Sequence, residues 1–531
     1  MSSRRITSLL ASLATVALVA SGCSHGSTES SPAPTGDSGK TIDTVTVALP
    51  GTLSNLYPGV ESGILNYYVA SASLEGLVHL DDEGKIQPSV ASSWTNPNPT
   101  TYVFELNPDA KFQDGSPVTP ADVVASIDFA KDAKADPSLA YYASGIASAK
   151  ATGDEEVTVK LKSPDASFLA NLSTTGFLYI SPASWLASHK KTIGTSDGLL
   201  MGTGPYQVTK FVPDTEVDLK AVDTWWGGTP KVQNVTIKFV TDDNARLLGA
   251  KSGDFDLAFN VPLQQTEQWE NLSDYTVKYA NDLSYVGLFF DLKVKPFDDI
   301  NVRKAIAYSV DRQAIVDKLL KGHGEVATGI PAPEALGSAY TPDEAKAQLD
   351  QLPQYDFDLD KAKAALAASS EPNGFATEIT YPNTGPQLGE AAQALAANLK
   401  EIGIDLTVKE VPIDQWLASI GDGKHGVEFM WYFSTTGDPA EVSAYMIGPG
   451  NPANFDNEQA NDLIAKQQAE TDPKQRIADI LAANKISAEN AVNLPLWWGQ
   501  AATAFKKDLG ITSFSPFTFT QPWPANLYRA E

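Results

Sequence analysis

The chain has 531 residues, and its 65 acidic side chains outnumber its 39 Lys and Arg side chains, so the formal net charge is −26. An acidic surface of this kind argues against nucleic acid as a partner, because phosphate contacts depend on Lys and Arg. At about 150 residues per domain, the length predicts roughly two to four domains. The single cysteine excludes an intrachain disulfide bond.

The N-terminus has the pattern of an export signal. A basic start precedes an apolar run from Ile6 to Ala20, which is too short to span a bilayer and is followed by small residues. The segment that leads to Cys23 resembles a bacterial lipobox, in which the cysteine is lipidated and becomes the new N-terminus. We therefore expect a signal peptide over residues 1–22, a lipid on Cys23 and a flexible tether over residues 23–40. The alternative is an ordinary signal peptide with an incidental cysteine.

Strands and helices alternate after the tether. Alternating apolar residues predict strands over 43–49 and 102–106, and Thr119-Pro120-Ala121-Asp122 predicts the start of a helix. Two strand–helix–strand units follow, and the predicted elements lie at 234–240, 242–251 and 256–260, and at 377–381, 388–402 and 404–408. A short helix over 414–420 and a strand over 427–433 come next.

This alternation indicates parallel sheets covered by helices, and the separation of the two units predicts two α/β lobes. Open parallel sheets bind ligands beyond the carboxyl ends of their strands. Those ends lie near Leu53 and Asn260 in the first lobe, and near Asn383 and Thr436 in the second. Two lobes that present such ends to each other would form a cleft that closes about a hinge, as in binding proteins.

Catalytic signatures are scarce. The segment from Gly194 to Gly198 fits the G-x-S-x-G pattern, but a polar segment precedes it in place of the buried strand that a nucleophile elbow needs. The five histidines are scattered without ligand spacing, and neither a phosphate loop nor an HExxH motif occurs. We therefore predict that the chain is not an enzyme and holds no cofactor and no metal of its own.

A series of motifs, taken in order, resembles the peptide/nickel/opine solute-binding family of ABC importers, family 5. The motifs are Pro88–Trp94, Tyr102–Leu106, Ala110–Val123, Gly202–Tyr206, Trp225–Gly228, Ser252–Asp256, Val302–Arg312, Gly403–Asp405 and Gly437–Pro439. Each one alone suits a turn, a cap or close backbone packing. Their order and spacing over nearly all of residues 43–510 carry the resemblance.

The resemblance implies an α/β fold of the two-lobed periplasmic-binding-protein type (class II, or cluster C). Lobe one would comprise residues 41–285, with an extra subdomain at about 85–195, and the C-terminal segment 495–531 would return to it. Lobe two would comprise residues 290–490. Two crossings between the lobes, near 285–291 and near 494–500, would form the hinge.

The implied function is that of an extracytoplasmic lipoprotein, lipid-anchored to the bacterial cell membrane. As a monomer it would capture a small solute and deliver it to the permease and ATPase subunits of an ABC importer. Oligopeptides or peptide-like molecules come first as ligands, and oligosaccharides, opines and metal chelates are the alternatives. Rival hypotheses are a non-transporting envelope regulator, which neighbouring transporter genes would contradict, and an exported hydrolase, which would need two acids with perturbed pKa values facing each other across the cleft.

One position argues against an ordinary free-amine peptide. In peptide-binding members, an Asp three residues before the Asp/Glu-Pro pair holds the amino terminus of the peptide. Aligned on Asp438-Pro439, that position is Thr435, whose neutral hydroxyl cannot replace a carboxylate paired with an ammonium group. The predicted ligand-binding residues lie at the strand ends, the crossings and the nearby aromatics, and they are Leu53, Asn260, Tyr285, Asn383, Trp416, Trp431, Tyr432, Thr435, Thr436 and Trp498.

Overall fold

The computed structural model describes residues 36–434 and 436–531. Cys23 and Thr435 therefore lie outside the described residues. The strands of the described ranges are β1 (Ile42–Leu49), β2 (Val78–Leu80), β3 (Ile86–Pro88), β4 (Ala91–Asn98), β5 (Thr101–Leu106), β6 (Ile146–Ala151), β7 (Glu156–Leu161), β8 (Tyr206–Val212), β9 (Glu216–Ala221), β10 (Val232–Phe239), β11 (Leu257–Ala258), β12 (Tyr275–Phe290), β13 (Gly324–Val326), β14 (Ala376–Pro382), β15 (Asp405–Val411), β16 (Val427–Phe433), β17 (Asn493–Lys506), β18 (Leu509–Ile511) and β19 (Leu527–Arg529).

The α-helices of the same ranges are α1 (Ile64–Ala70), α2 (Pro120–Ala130), α3 (Ala140–Ala143), α4 (Phe168–Asn171), α5 (Ala183–His189), α6 (Asp243–Ser252), α7 (Thr266–Glu270), α8 (Ile300–Ala307), α9 (Arg312–Ala314), α10 (Pro342–Leu349), α11 (Leu359–Ala367), α12 (Pro386–Lys400), α13 (Ile413–Ser419), α14 (Glu441–Ile447), α15 (Glu458–Ala469) and α16 (Pro473–Glu489). None of these helices combines the length and the apolar character that a membrane crossing requires.

Local sequence signals account for where several elements begin and end. The Asp122 carboxylate accepts hydrogen bonds from the backbone N–H (3.0 Å) and the hydroxyl (2.6 Å) of Thr119, so the predicted start of α2 is confirmed. Glycines with a left-handed backbone follow α6 and α12, namely Gly253 at φ 80° and Gly403 at φ 92°. The strand predicted over residues 427–433 is β16.

The largest sheet has nine strands in the order β16–β12–β17–β11–β1–β10–β9–β8, and β13 pairs with β17 beside this path. β1 lies between β10 and β11 and is parallel to both, as the first strand–helix–strand unit predicts. β14 and β15 of the second unit form a separate parallel pair. The sheet is nevertheless mixed rather than parallel throughout, because the hairpin β8–β9 and the long strands β12 and β17 add antiparallel pairs.

A second sheet has four antiparallel strands in the order β4–β5–β7–β6 and lies within the range predicted for the extra subdomain. Helix α2 packs against β6 and β7 through Val123 and Ile127, both fully buried. This sheet supports one wall of the candidate site.

The buried apolar residues divide into two main cores. The larger core draws on residues between Ile42 and Phe259 and again between Phe505 and Leu527. The second core draws on residues between Val286 and Trp497. We refer to the parts of the chain built on these cores as lobe one and lobe two, and the C-terminal segment returns to lobe one.

Strands β12 and β17 run from one core into the other as neighbours. Their pairing is regular from Tyr275 to Asn281, is interrupted, and resumes at Tyr285 opposite Trp498. Within the interruption Leu283 has a left-handed backbone, with φ 55°. A break in the ladder between two regular stretches is the place where a pair of crossing strands can bend.

Candidate ligand cleft

A cavity of 740 Å³ opens between the two lobes. Residues 141–171, next to the four-stranded sheet, form its wall in lobe one, and residues 416–476 form its wall in lobe two. We call it the interlobe cavity. Its volume lies within the range of about 300–1,000 Å³ that is typical of small-molecule sites.

Aromatic side chains lie on both walls of the interlobe cavity. Tyr141 and Tyr142 of lobe one have ring centroids 4.0 Å apart, and Tyr432 and Tyr445 of lobe two have centroids 5.8 Å apart. Tyr141 is 61% exposed and Tyr445 is 44% exposed, which is unusual for side chains of this size. Exposed apolar surface of this kind, concentrated in one cavity, marks a binding site.

The backbone explains why these rings face the cavity. In the four-residue helix α3, Ala140 and Ala143 are buried, so the two tyrosines between them project away from the lobe-one core. In lobe two, β16 is fully buried up to Met430 and only half-buried in its last three residues. The strand therefore leaves the core just where the run Trp431-Tyr432-Phe433 begins.

The lining of the interlobe cavity includes an ion pair between Asp438 and Arg476. The Arg476 guanidinium contacts the Asp438 carboxylate in a bidentate manner, with Nη1–Oδ2 at 2.8 Å and Nη2–Oδ1 at 2.9 Å. Its Nε donates to Gln467 Oε1 at 3.0 Å. The side chains of Asp438 and Arg476 are 7% and 11% exposed. The charge of the arginine is thus already compensated by the protein.

A second cavity, of 380 Å³, adjoins the interlobe cavity. The two share Asp165, Thr436, Asp438 and Arg476 in their linings. The second cavity is also lined by Glu83 and Glu334 of the two lobes. The ion pair therefore lies between the interlobe cavity and the second cavity, which is smaller and is lined by more carboxylates.

The carboxylate of Glu441, the first residue of α14, lines the interlobe cavity. Its Oε2 accepts hydrogen bonds from the hydroxyls of Thr436 (2.7 Å) and Ser434 (2.8 Å), and its Oε1 accepts one from the Tyr432 hydroxyl (3.3 Å). Burial raises the pKa of the Glu441 carboxyl above its usual range, and the hydroxyls of Thr436 and Ser434 oppose the rise.

Four of the predicted ligand-binding residues line the interlobe cavity, namely Trp416, Trp431, Tyr432 and Thr436. The structure does not bring Leu53, Tyr285 or Trp498 into the lining. All three side chains are at most 5% exposed and pack in apolar clusters elsewhere. Asn260 and Asn383 follow strands β11 and β14 as predicted, but they also lie outside the lining. Thr435 lies outside the described residues.

The sequence reasoning missed both tyrosines of α3, as well as Glu441 and Arg476. A helix of four residues has no periodicity that could identify its exposed face. Arg476 belongs to α16, 38 residues after its partner Asp438, which lies in the loop before α14. For Glu441 a signal did exist, since it follows the Gly437–Pro439 motif at the start of a helix.

Comparison with known proteins identifies the family. The model of the bacterial extracellular solute-binding proteins, family 5 Middle, matches residues 85–454. The chain is 26% identical over 480 residues to the glutathione-binding protein GsiB of Escherichia coli (strain K12), covering 88% of this chain and 91% of that protein. It is 27% identical to the periplasmic binding protein AgaA from A.tumefacien R10, solved with agropinic acid, over 92% of this chain and 99% of that one, with a TM-score of 0.76.

The fold is also that of the periplasmic binding protein DppA from Helicobacter pylori, solved with the peptide STSA. The two are 22% identical over 93% of this chain and 99% of that one, with a TM-score of 0.77. This likeness supports the two-lobed α/β fold. The chain belongs to family 5 of the bacterial extracellular solute-binding proteins.

Proposed function

We propose that the protein captures a small solute, foremost an oligopeptide or peptide-like molecule, and delivers it to the permease and ATPase subunits of an ABC importer. The observation that carries this proposal is the interlobe cavity, which takes aromatic side chains from both lobes. A ligand that touches both walls stabilises the closed arrangement of the lobes. A glutathione-binding protein and a peptide-bound protein among the similar chains support this ligand class.

An opine is the second candidate ligand. AgaA, which shares 27% of its sequence with this chain, is bound to agropinic acid. Thr435 also favours a ligand without a free amino terminus at that position, because it offers no carboxylate. Mass spectrometry of the solute that co-purifies with the full chain separates the two candidates, since a peptide and an opine differ in mass and fragmentation.

Tyr141→Ala is expected to raise the Kd of the co-purified solute about tenfold, because a large aromatic contact in the wall of the cavity is lost. Isothermal titration calorimetry on the full chain, purified in mild detergent and freed of solute, measures the change. Phe357→Ala is the matched control, since Phe357 is a 42% exposed aromatic residue outside the cavity lining. Equal affinities of the two variants would contradict the assignment of the cavity as the solute site.

The lipid anchor belongs to the same proposal. Cys23→Ser is expected to move the protein from the membrane fraction to the soluble fraction and to abolish the incorporation of labelled palmitate, because serine cannot form the thioether that carries the lipid. Cell fractionation with immunoblotting measures the first effect, and Ser24→Ala is the neighbouring control. If the Cys23→Ser protein stayed with the membrane, another anchor would have to hold it.

A further inference from the structure

We propose that Glu441 selects the ligand, so that the solutes taken by the interlobe cavity carry a positively charged nitrogen next to an apolar or aromatic group. This inference rests on the proposed function, because it assigns the ligand class of the same cavity. It concerns a residue of α14, six residues beyond Thr435 in the chain.

The first observation is the balance of charges in the lining of the interlobe cavity. Its charged lining residues are three carboxylates and one guanidinium, namely Asp165, Asp438, Glu441 and Arg476. The guanidinium is paired with Asp438 on both of its terminal nitrogens. Among the ion pairs of the described residues, none involves Glu441 or Asp165. A ligand cation would thus meet uncompensated negative charge, whereas a ligand anion would find no free cationic partner in this lining.

The second observation is the hydrogen-bonding capacity of the carboxylate. An ionised carboxylate offers about four acceptor positions over its two oxygens. Oε2 accepts from the Ser434 and Thr436 hydroxyls and, at 3.4 Å, from the Thr436 backbone N–H, whereas Oε1 accepts a single bond of 3.3 Å from Tyr432. These donors hold the side chain in place and leave Oε1 with room for a further donor. An ammonium or guanidinium group supplies that donor together with the opposite charge.

The third observation is the aromatic surroundings of the carboxylate. Tyr142 of lobe one lines the same cavity as the carboxylate, and after burial the charge of Glu441 is the largest cause of the raised pKa of its phenol. Tyr432, on the other wall, donates its hydroxyl to the same carboxylate. Aromatic side chains beside a carboxylate favour a ligand cation, because any ring face turned to the ligand carries partial negative charge.

The proposal predicts a pH dependence. Because burial raises the pKa of Glu441, protons compete with a cationic ligand for the carboxylate, and affinity falls as the pH falls through that pKa. The charge of Asp438, which is paired with Arg476, also raises the pKa of Glu441. In turn, the charge of Glu441 raises the pKa of nearby phenols, namely those of Tyr67, Tyr141, Tyr142 and Tyr432. The phenol pKa values are all raised, so these groups stay neutral over pH 5–8, and Glu441 dominates the change.

Matched probes of different charge test the proposal on the full chain in mild detergent. Calorimetry compares Ala-Phe-Ala-amide (cationic), Ala-Phe-Ala (zwitterionic) and N-acetyl-Ala-Phe-Ala (anionic), and saturation-transfer NMR compares phenethylamine with 3-phenylpropionate. We expect the amide to bind at least about tenfold more tightly than the acetylated peptide at pH 7.5, and its affinity to fall as the pH is lowered. Glu441→Gln should remove both the preference and the pH dependence, because it keeps the shape and loses the charge.

Glu390→Gln is the matched control, because Glu390 is an exposed glutamate of α12 outside both cavity linings, and it should change the affinity of the amide less than threefold. Thermal unfolding of Glu441→Gln should occur at or above the wild-type temperature, since a buried charge is removed. If the Glu441→Gln protein binds the amide as tightly as the wild type, or if the acetylated peptide is preferred, the assignment is overturned. If no tripeptide binds but phenethylamine binds in a Glu441-dependent manner, the peptide function fails and the charge assignment stands. If neither cation binds, the assignment fails.

Discussion

Replacing Arg303 with Met is expected to lower the free energy of unfolding by about 4 kcal/mol, because two buried backbone carbonyls and one partly buried carbonyl would lose their donor. Arg303 lies in α8 and is 4% exposed. Its guanidinium donates to the carbonyls of Phe297 (2.7 Å), Asn490 (2.7 Å from Nη2) and Ala491 (3.2 Å). Methionine would fill part of the space but could satisfy none of these oxygens.

The position of these carbonyls explains the expected size of the effect. Asn490 is the C-cap of α16, and Ala491 follows it with a left-handed backbone at φ 48°. The last carbonyls of a helix have no partner within the helix, and a positive charge near them is favourable. Arg303 therefore caps the longest described helix and ties it to α8 within lobe two.

Urea unfolding followed by circular dichroism measures the loss of stability, and hydrogen exchange followed by mass spectrometry locates it in α16. Lys304→Met is the matched control, because Lys304 is the next residue of the same helix and is only half-buried. It should change stability by less than about 0.5 kcal/mol. Arg303→Lys should fall between the two, since one ammonium group cannot reach both Phe297 and Asn490. A loss below 1 kcal/mol for Arg303→Met would contradict the capping role.

The sequence predicted the elements of the fold better than the faces they expose. Strand β16 and helix α12 were found because alternation, a helical apolar stripe and Gly403 are local signals. Tyr285 and Trp498 were placed at the crossings, where strands β12 and β17 do run between the lobes. Their side chains are nevertheless buried, because β12 from Leu283 onward and β17 over Leu496–Trp498 are covered on both faces. Alternation distinguishes the two faces of a strand, but it cannot say what covers each face.

The candidate site depends on contacts between distant segments, and these were beyond local signals. Tyr142 approaches Glu441 from the other lobe, and the two are separated by almost 300 residues. Asp438 could be identified from the family motif, whereas its pairing with Arg476 could not. The charge available to a ligand is decided by that pairing, so the sequence alone left the ligand class open.

Asp438→Asn is expected to lower the free energy of unfolding by about 3 kcal/mol, the lower end of the cost of leaving one partner of a buried ion pair alone. The asparagine oxygen can still accept the hydrogen bond from the Ala440 backbone N–H, which is 2.8 Å from Asp438 Oδ1. The loss therefore reports on the charge of Arg476, which is only 11% exposed. Asp422→Asn is the matched control, because its partner Lys424 is 78% exposed and such surface pairs contribute about 0–1 kcal/mol.

The same substitution is expected to offset the preference of the cavity for cationic ligands. With Asp438 neutral, Arg476 becomes a free cation at the boundary between the interlobe cavity and the second cavity. N-acetyl-Ala-Phe-Ala should then bind about tenfold more tightly than to the wild type, since one charge-assisted pair contributes on the order of 1.4 kcal/mol. Calorimetry at low and high salt measures the gain, and added salt should weaken it. An unchanged affinity would mean that ligands do not reach Arg476. Together, Asp438→Asn and Glu441→Gln test whether the Asp438–Arg476 ion pair and the Glu441 carboxylate determine which class of ligand this member of the family binds.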